Sequence, residues 1–487
     1  MRRREFLRTA GGAAMLPALY LPELQARAPG LAAFPPDFLW GAATSAYQIE
    51  GGAAEGGKGP SVWDGFVARR GAIADGQTGA RACDFYHRYP ADIALMRQLG
   101  LKAFRFSIAW TRVLPAGRGA VNQAGLDFYR RLVDALLAAD IAPVATLFHW
   151  DTPLELEQAG GWQTRAMADG FAAYAEVVAR ALGDRVRWWL TINEPRSFIG
   201  GGYVAGVQAP GLHLPRRAAL QAAHIVLLAH GRAVEALRAG AGRRIQVGLP
   251  CDVTPALPQT AADAAAAEQA TFASPAAHFS AHGWWSENAW WLEPVYNGAY
   301  PADALAALGA DAPRVEAGDL ATIRQPLDFL AINVYGGQPV RAAPGGGAER
   351  LPWPAGVAHA ANGWPVTPEA LYWAPHWLHQ RYRLPVLVTE NGCAMCDWVA
   401  LDGAVHDPQR VDFTGRYLRA LARAAAAGTP VIGYLHWSLL DNFEWQLGYT
   451  QRFGMVYVDF QSQRRVLKDA AHWYARVIAT RGGALQA

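Results

Sequence analysis

The 487-residue sequence predicts an α/β protein, a single-domain (β/α)8 TIM barrel with long loops at the C-terminal strand ends. Three observations point there. Eight apolar, β-rich runs are spread over the whole chain and end abruptly in polar or aromatic residues. Ala- and Leu-rich segments with helical spacing lie between most of them, at 127–139, 170–182, 218–239 and 411–427. No Gly-rich phosphate fingerprint follows the first run in a short turn, which argues against a doubly wound open sheet. Strand and helix alternating in this way close into a barrel whose active site stands at the C-terminal strand ends.

Taken in order, the runs deliver chemistry at their ends. Run 38–48 finishes at Gln48, run 103–110 carries Arg105, and run 143–150 closes on His149 and Trp150. Run 186–194 ends in Asn193 and Glu194, whereas run 245–250 stops at Pro250. Run 329–335 supplies Asn333 and Tyr335, run 386–390 ends at Glu390, and run 431–437 at Trp437, with Glu444 and Trp445 just downstream. The segments before the two glutamates, 186–190 and 384–388, are almost continuously apolar or aromatic, as expected of strands buried on both faces. Pro195 disfavours the helical region for the residue before it, which predicts that Glu194 stays extended at its strand end. Intervals 51–81, 200–215, 251–301 and 336–363 exceed a simple strand-helix unit, and most follow a strand, where insertions wall a pocket. No internal repeat or linker divides the chain.

Hydrophobic residues make up 52% and charged residues 17%, so a large core forms and general disorder is excluded. The net charge of +3 is small for this length, and no basic run or stripe suits nucleic acid or an anionic membrane. Past the N-terminus no run reaches transmembrane length without charges or breakers, so no membrane insertion is expected of the mature chain. The chain holds 19 Trp; flat amphipathic rings suit sugar faces, although core packing accounts for at least half of them. Trp284, Trp285, Trp353, Trp364 and Trp398 fall in or near the long insertions as candidate pocket walls.

Residues 1–28 read separately, as a twin-arginine export signal ahead of a catalytic barrel over 29–487. Arg3 and Arg4 precede a mildly apolar stretch broken by Gly11, Gly12 and Pro17, and Ala26-Arg27-Ala28 offers a small-x-small cleavage pattern. Contact with export machinery and a periplasmic or exported location follow as expectations; a basic start on a cytoplasmic protein is the alternative. Four cysteines in so long a chain are not a disulfide framework. Cys393 and Cys396 have CxxC spacing but no second CxxC or His pair beside them, and no metal or other cofactor is expected.

Two carboxylic acids among neutral hydrogen-bonding groups and Trp rings, without a metal-ligand cluster, meet the needs of glycosidic bond cleavage. One acid protonates the departing oxygen; the other attacks the anomeric carbon or activates water. The motifs sharpen this. Phe34-Pro35-Pro36-Asp37-Phe38-Leu39-Trp40-Gly41, Tyr47-Gln48-Ile49-Glu50-Gly51, Phe104-Arg105-Phe106-Ser107, Asn193-Glu194-Pro195, Thr389-Glu390-Asn391-Gly392 and Asp441-Asn442-Phe443-Glu444-Trp445 occur in an order that resembles glycoside hydrolase family 1, the retaining β-glucosidase family. The resemblance runs from Phe34 to about Ile478.

That resemblance implies Glu194 as general acid/base and Glu390 as nucleophile, about 5–5.5 Å apart as in retaining enzymes. Two negative charges at that distance repel by about 3 kcal/mol at an effective dielectric of about 20, so only one is ionised near neutrality. Arg105 and Tyr335 match residues that contact the nucleophile and favour its charged form. Gln48, His149, Asn193, Glu444 and Trp445 match positions that hydrogen-bond the hydroxyls of the non-reducing sugar, with Trp437 as the platform beneath its ring. Asn333 stands behind these or on the 2-hydroxyl side. Phospho-β-glycosidases of the family carry Ser at the Glu444 position and Lys and Tyr at those of Gln451 and Phe453, so the implied substrate is an unphosphorylated β-glycoside or oligosaccharide. Thioglucosidases replace the acid with Gln, which Glu194 argues against. Transglycosylation and a sugar-binding protein without turnover are the alternatives to hydrolysis.

Overall fold

The computed structural model describes residues 34–274, 276 and 283–486. The export signal expected over 1–28 lies outside the described residues. Each of the eight runs holds one barrel position: Leu39–Ala43, Ala103–Ser107, Ala142–Phe148, Trp188–Ile192, Gln246–Gly248 with Pro250–Asp252, Leu330–Asn333, Val386–Asn391 and Val431–Trp437. Neighbours in this series pair in parallel, and the last strand pairs with the first, Trp437 opposite Ala43. The fifth position is split at Leu249. Its first half pairs with Trp188, Trp189 and Leu190, and its second half with Ala331, Ile332 and Asn333, so the barrel closes through one residue of continuous chain.

Alternation along the strands sorts the interior into layers. Leu190, Phe329, Ala331, Leu387 and Leu435 belong to one buried apolar cluster. A full Leu or Phe side chain removed from water stabilises by about 1.5–3 kcal/mol. Two residues further along the same faces stand Arg105 after Ala103, Thr146 after Val144, Asn333 after Ala331, Thr389 after Leu387 and Trp437 after Leu435, all buried. The apolar layer is therefore a floor, and the polar layer above it faces the C-terminal mouth.

Outside, helices Gln123–Ala138, Arg165–Leu182, Arg216–Gly240 and Pro408–Ala426 cover the predicted helical segments to within one residue. In the first, Leu126, Tyr129, Leu132, Val133 and Leu136 are buried at three- and four-residue spacing, which turns one stripe onto the barrel. The long intervals build the rim. Ala256–Pro258, Gln338–Ala342 and Ala348–Arg350 form a small separate sheet from two of them. All four cysteines are free thiols, Cys393 buried and Cys396 exposed. No helix among the described residues is long and apolar enough to cross a membrane.

Two local expectations are corrected. The first strand stops at Ala43, so Gln48 lies not at a strand end but on the short helix Ala46–Ile49. Glu194 is not extended: it is left-handed, with φ 45° and ψ 64°, and caps the helix Pro195–Ile199. Proline at the first helical position needs no N–H partner and starts that helix, while Glu194 turns its own N–H onto the Pro250 carbonyl at 2.8 Å. Left-handed backbone costs a residue with a side chain about 1–2 kcal/mol, held here by the strand on one side and the helix on the other.

Candidate active site

A cavity of about 430 Å³ opens at the barrel mouth, lined by His149, Asn193, Glu194, Tyr335, Glu390, Trp437, Glu444 and Trp445 among others. Eight of the eleven residues singled out from sequence thus share one lining. The other three, Gln48, Arg105 and Asn333, are fully buried behind it and hydrogen-bond to lining groups.

Glu390 is gripped on both oxygens. Arg105 Nη1 donates to Oε1 at 2.5 Å and the Tyr335 hydroxyl to Oε2 at 2.7 Å. Arg105 is fixed in turn by Thr146 Oγ1 at 3.1 Å, the Thr389 carbonyl at 3.1 Å and Asn193 Oδ1 at 2.6 Å. Burial raises the Glu390 carboxyl above its usual range, but the Arg105 charge and the Tyr335 hydrogen bond pull against that. Glu194 has weaker opposition. Burial, then the carboxylate of Asp252, then Glu390 hold it well above the usual range, against only the hydrogen bond from Asn333 Nδ2 at 2.8 Å and the more distant charge of Arg196. Glu390 is thus the more acidic member of the pair, and Glu194 keeps its proton.

Asn193 links Arg105, Asn333 and His149. Its Oδ1 accepts from Arg105 and, at 3.1 Å, from Asn333 Nδ2, which orients its Nδ2 toward His149 Nε2 at 3.1 Å. Burial and the Arg105 charge hold His149 neutral, so with Nε2 accepting, the proton sits on Nδ1, which has no protein partner. That nitrogen is a buried donor without a protein partner. Gln48 Nε2 is shared among Asn442 Oδ1 at 3.0 Å, the Phe443 carbonyl at 2.9 Å and Glu444 Oε2 at 3.5 Å. Burial and Glu390 push the Glu444 carboxyl up to about 8. Trp437 and Trp445 both lie nearly parallel to the His149 ring, with centroids 5.8 Å and 5.9 Å away. Flat faces and clustered polar groups at one site match a pyranose, apolar across its ring and polar around its edge.

Of the five tryptophans proposed as walls, Trp285 and Trp364 line the cavity. Trp284 is buried against Trp290 and Trp291, Trp353 is half-buried away from the lining, and Trp398 is 71% exposed. Sequence reasoning missed Asp252, Gln208 and Gln446. Asp252 lay hidden because Pro250 read as the end of the fifth run, whereas the strand resumes there. Gln208 and Gln446, 238 residues apart, hydrogen-bond at 3.2 Å across two loops of the lining, a pairing with no local signature. Among the described residues no group of three or more His, Cys, Asp or Glu is arranged to hold a metal ion.

A (β/α)8 barrel with two unequal carboxyl groups and a sugar-shaped polar and aromatic lining at its mouth defines a glycoside hydrolase. The profile of Glycosyl hydrolase family 1 matches residues 31–483, and the chain belongs to that family. It is 39% identical over 450 residues to Beta-glucosidase A of Thermotoga maritima, covering 92% of this chain and 98% of the relative. To a bifunctional beta-D-glucosidase/beta-D-fucosidase of Bifidobacterium breve it is 42% identical over 470 residues, covering 92% and 98%. The solved family 1 β-glucosidase of Thermotoga maritima superposes with a TM-score of 0.83 at 38% identity, over 92% of this chain and 99% of that one. The same enzyme in complex with glucoimidazole matches equally well.

Proposed function

We propose that the chain is a retaining β-glucosidase acting on terminal, non-reducing, unphosphorylated β-D-glucosyl residues, with fucosyl and galactosyl residues as further substrates. Glu194 protonates the glycosidic oxygen while the Glu390 carboxylate attacks the anomeric carbon. The aglycone leaves and the sugar stays esterified to Glu390. Esterification removes the Glu390 charge, Glu194 becomes more acidic, and it then takes a proton from the water that releases the sugar. The observation that carries this reading is the asymmetry of the two acids: Arg105 and Tyr335 grip Glu390, whereas Glu194 receives one neutral donor. His149, Asn193, Gln48, Glu444 and Trp445 hold the sugar hydroxyls and Trp437 supports the ring. Glu444 supports an unphosphorylated substrate, because an acidic group stands where a phosphate would otherwise be held. The relative from Bifidobacterium breve supports fucosyl acceptance.

Glu390→Gln tests the assignment. Turnover of an aryl β-glucoside is expected to vanish in a variant that still folds, and the wild type is expected to release the β-anomer first, seen by NMR. Full activity of the variant, or an inverted first product, rejects it. We also propose export through the twin-arginine route, which rests on Arg3, Arg4 and the small-x-small pattern near Ala28. Unprocessed protein confined to the cytoplasm on fractionation rejects that.

A further inference from the structure

The second half of the fifth strand ends beside the acid. Asp252 stands in register with Asn333, the residue that donates to Glu194 Oε1, and two residues before it the Pro250 carbonyl takes the Glu194 N–H. Asp252 Oδ2 accepts from Arg196 Nε at 2.6 Å and from Ser197 Oγ at 2.7 Å, both on the helix that Glu194 caps. Its Oδ1 is buried without a partner. A buried carboxylate oxygen without a protein partner carries an uncompensated desolvation cost, so its presence here calls for a role. Arg196 is itself spread over the Ser286 carbonyl at 2.9 Å, Asn288 Oδ1 at 3.2 Å and Thr254 Oγ1 at 3.2 Å, so it neutralises Asp252 from one side only.

We propose that Asp252 is a positioning residue for Glu194: through Arg196 and Ser197 it clamps the helix that sets the left-handed turn, and its carboxylate, at the end of the neighbouring strand, tunes the proton transfer. This rests on Glu194 being the acid/base. The ionisable groups around Glu194 are Glu390 on the seventh strand, Asp252 and Cys251 on the fifth, Tyr335 beyond the sixth and Arg196 on its own helix. Of the two carboxylates, Asp252 acts on Glu194 more strongly than Glu390 does. The difference matters in the catalytic cycle. Glu390 loses its charge when it is esterified, whereas Asp252 forms no bond to the sugar in either half-reaction. Asp252 therefore sets how far the acidity of Glu194 rises in the intermediate, and so divides the advantage between proton donation and proton removal.

Asp252→Asn keeps the size and the acceptor oxygen and removes the charge. Two aryl β-glucosides separate a charge effect from a structural one: a phenyl leaving group that must be protonated, and a 2,4-dinitrophenyl group that leaves unaided. The expected result is that the alkaline limb of kcat/KM for the phenyl substrate moves to lower pH, with a loss of about tenfold at its alkaline end. For the dinitrophenyl substrate kcat/KM falls by less than about threefold, well below the contribution of a general acid. Asp252→Glu, which retains the charge, is expected to restore most of the alkaline limb. An equal loss on both substrates at all pH values, or an unmoved limb for the phenyl substrate, overturns the proposal. A wild type that cleaves neither substrate instead rejects the assignment of function.

Discussion

Arg105→Met is the sharpest perturbation the barrel mouth offers. Methionine fills much of the same volume but deletes the charge 2.5 Å from Glu390 and three further hydrogen bonds, in a pair whose side chains are 0% and 4% exposed. Removing one partner of a buried ion pair costs about 3–5 kcal/mol, because the other charge is left in a poor solvent. The protein can meet that cost by losing stability, or Glu390 can take a proton and lose its nucleophile. The first outcome belongs to high pH and the second to low pH. If the loss falls on the transition state, 3–5 kcal/mol corresponds to about 10²- to 10⁴-fold in kcat/KM.

The sign follows from proton linkage. Burial already raises Glu390 in the folded state, and removing Arg105 raises it further. The folded variant then binds more protons than the unfolded chain between the ordinary glutamate value of about 4.3 and the raised folded value. Its stability declines as pH rises through that window and levels off above it. The assays are a pH–rate profile on an aryl β-glucoside and thermal melts at pH 5 and pH 8. The expected results are a kcat/KM at least about 100-fold below wild type at pH 7, an acid limb moved to higher pH, and a larger melting deficit at pH 8 than at pH 5. A variant within threefold of wild type at pH 7 with an unmoved acid limb would refute the reasoning.

Two further predictions concern the walls of the site. The Glu444 carboxyl, pushed up to about 8, is best satisfied by two sugar hydroxyls when ionised, so inhibition by glucose is expected to tighten as pH rises toward 8 and to lose that trend in Glu444→Gln. Competitive inhibition constants between pH 6 and 9 check this, and a trend unchanged in the variant contradicts it. Gly392 lies two residues after Glu390, and a Cβ there would fall 1.8 Å from the Trp437 carbonyl oxygen, backbone that cannot yield cheaply. Gly392→Ala is expected to destabilise by about 1–3 kcal/mol and to reduce turnover by moving Trp437, read by a denaturant melt beside kcat/KM. An unchanged melt counts against it.

The barrel was legible because its signal is local and repeated. Most of the apolar runs carry, at or near their ends, a residue that lines the cavity or backs its lining, and burial on both faces leaves strands such as Trp188–Ile192 free of charge. That Glu194, Glu390 and their polar and aromatic neighbours share one cavity was legible because strand ends in a barrel converge. What escaped notice depended on distance or on backbone detail. Pro250 stopped the fifth run on paper, yet the chain uses its carbonyl as an acceptor and continues to Asp252. The rule for a residue before proline excludes the right-handed helix for Glu194 but does not choose between extended and left-handed backbone; the Pro250 carbonyl decides. Trp284 and Trp285 are neighbours in sequence and have opposite fates, because the cavity wall passes between them.

The break at Leu249 has a consequence for assembly. The fifth strand is the seam of the barrel, with one half stitched to the strand before and the other to the strand after. The Pro250 carbonyl at that seam is also the group that sets the backbone of Glu194. A barrel still open between its fourth and sixth strands therefore has no seated acid, however complete its helices are. Activity regained during refolding reports that the ring has been joined at this seam, and it cannot appear before then.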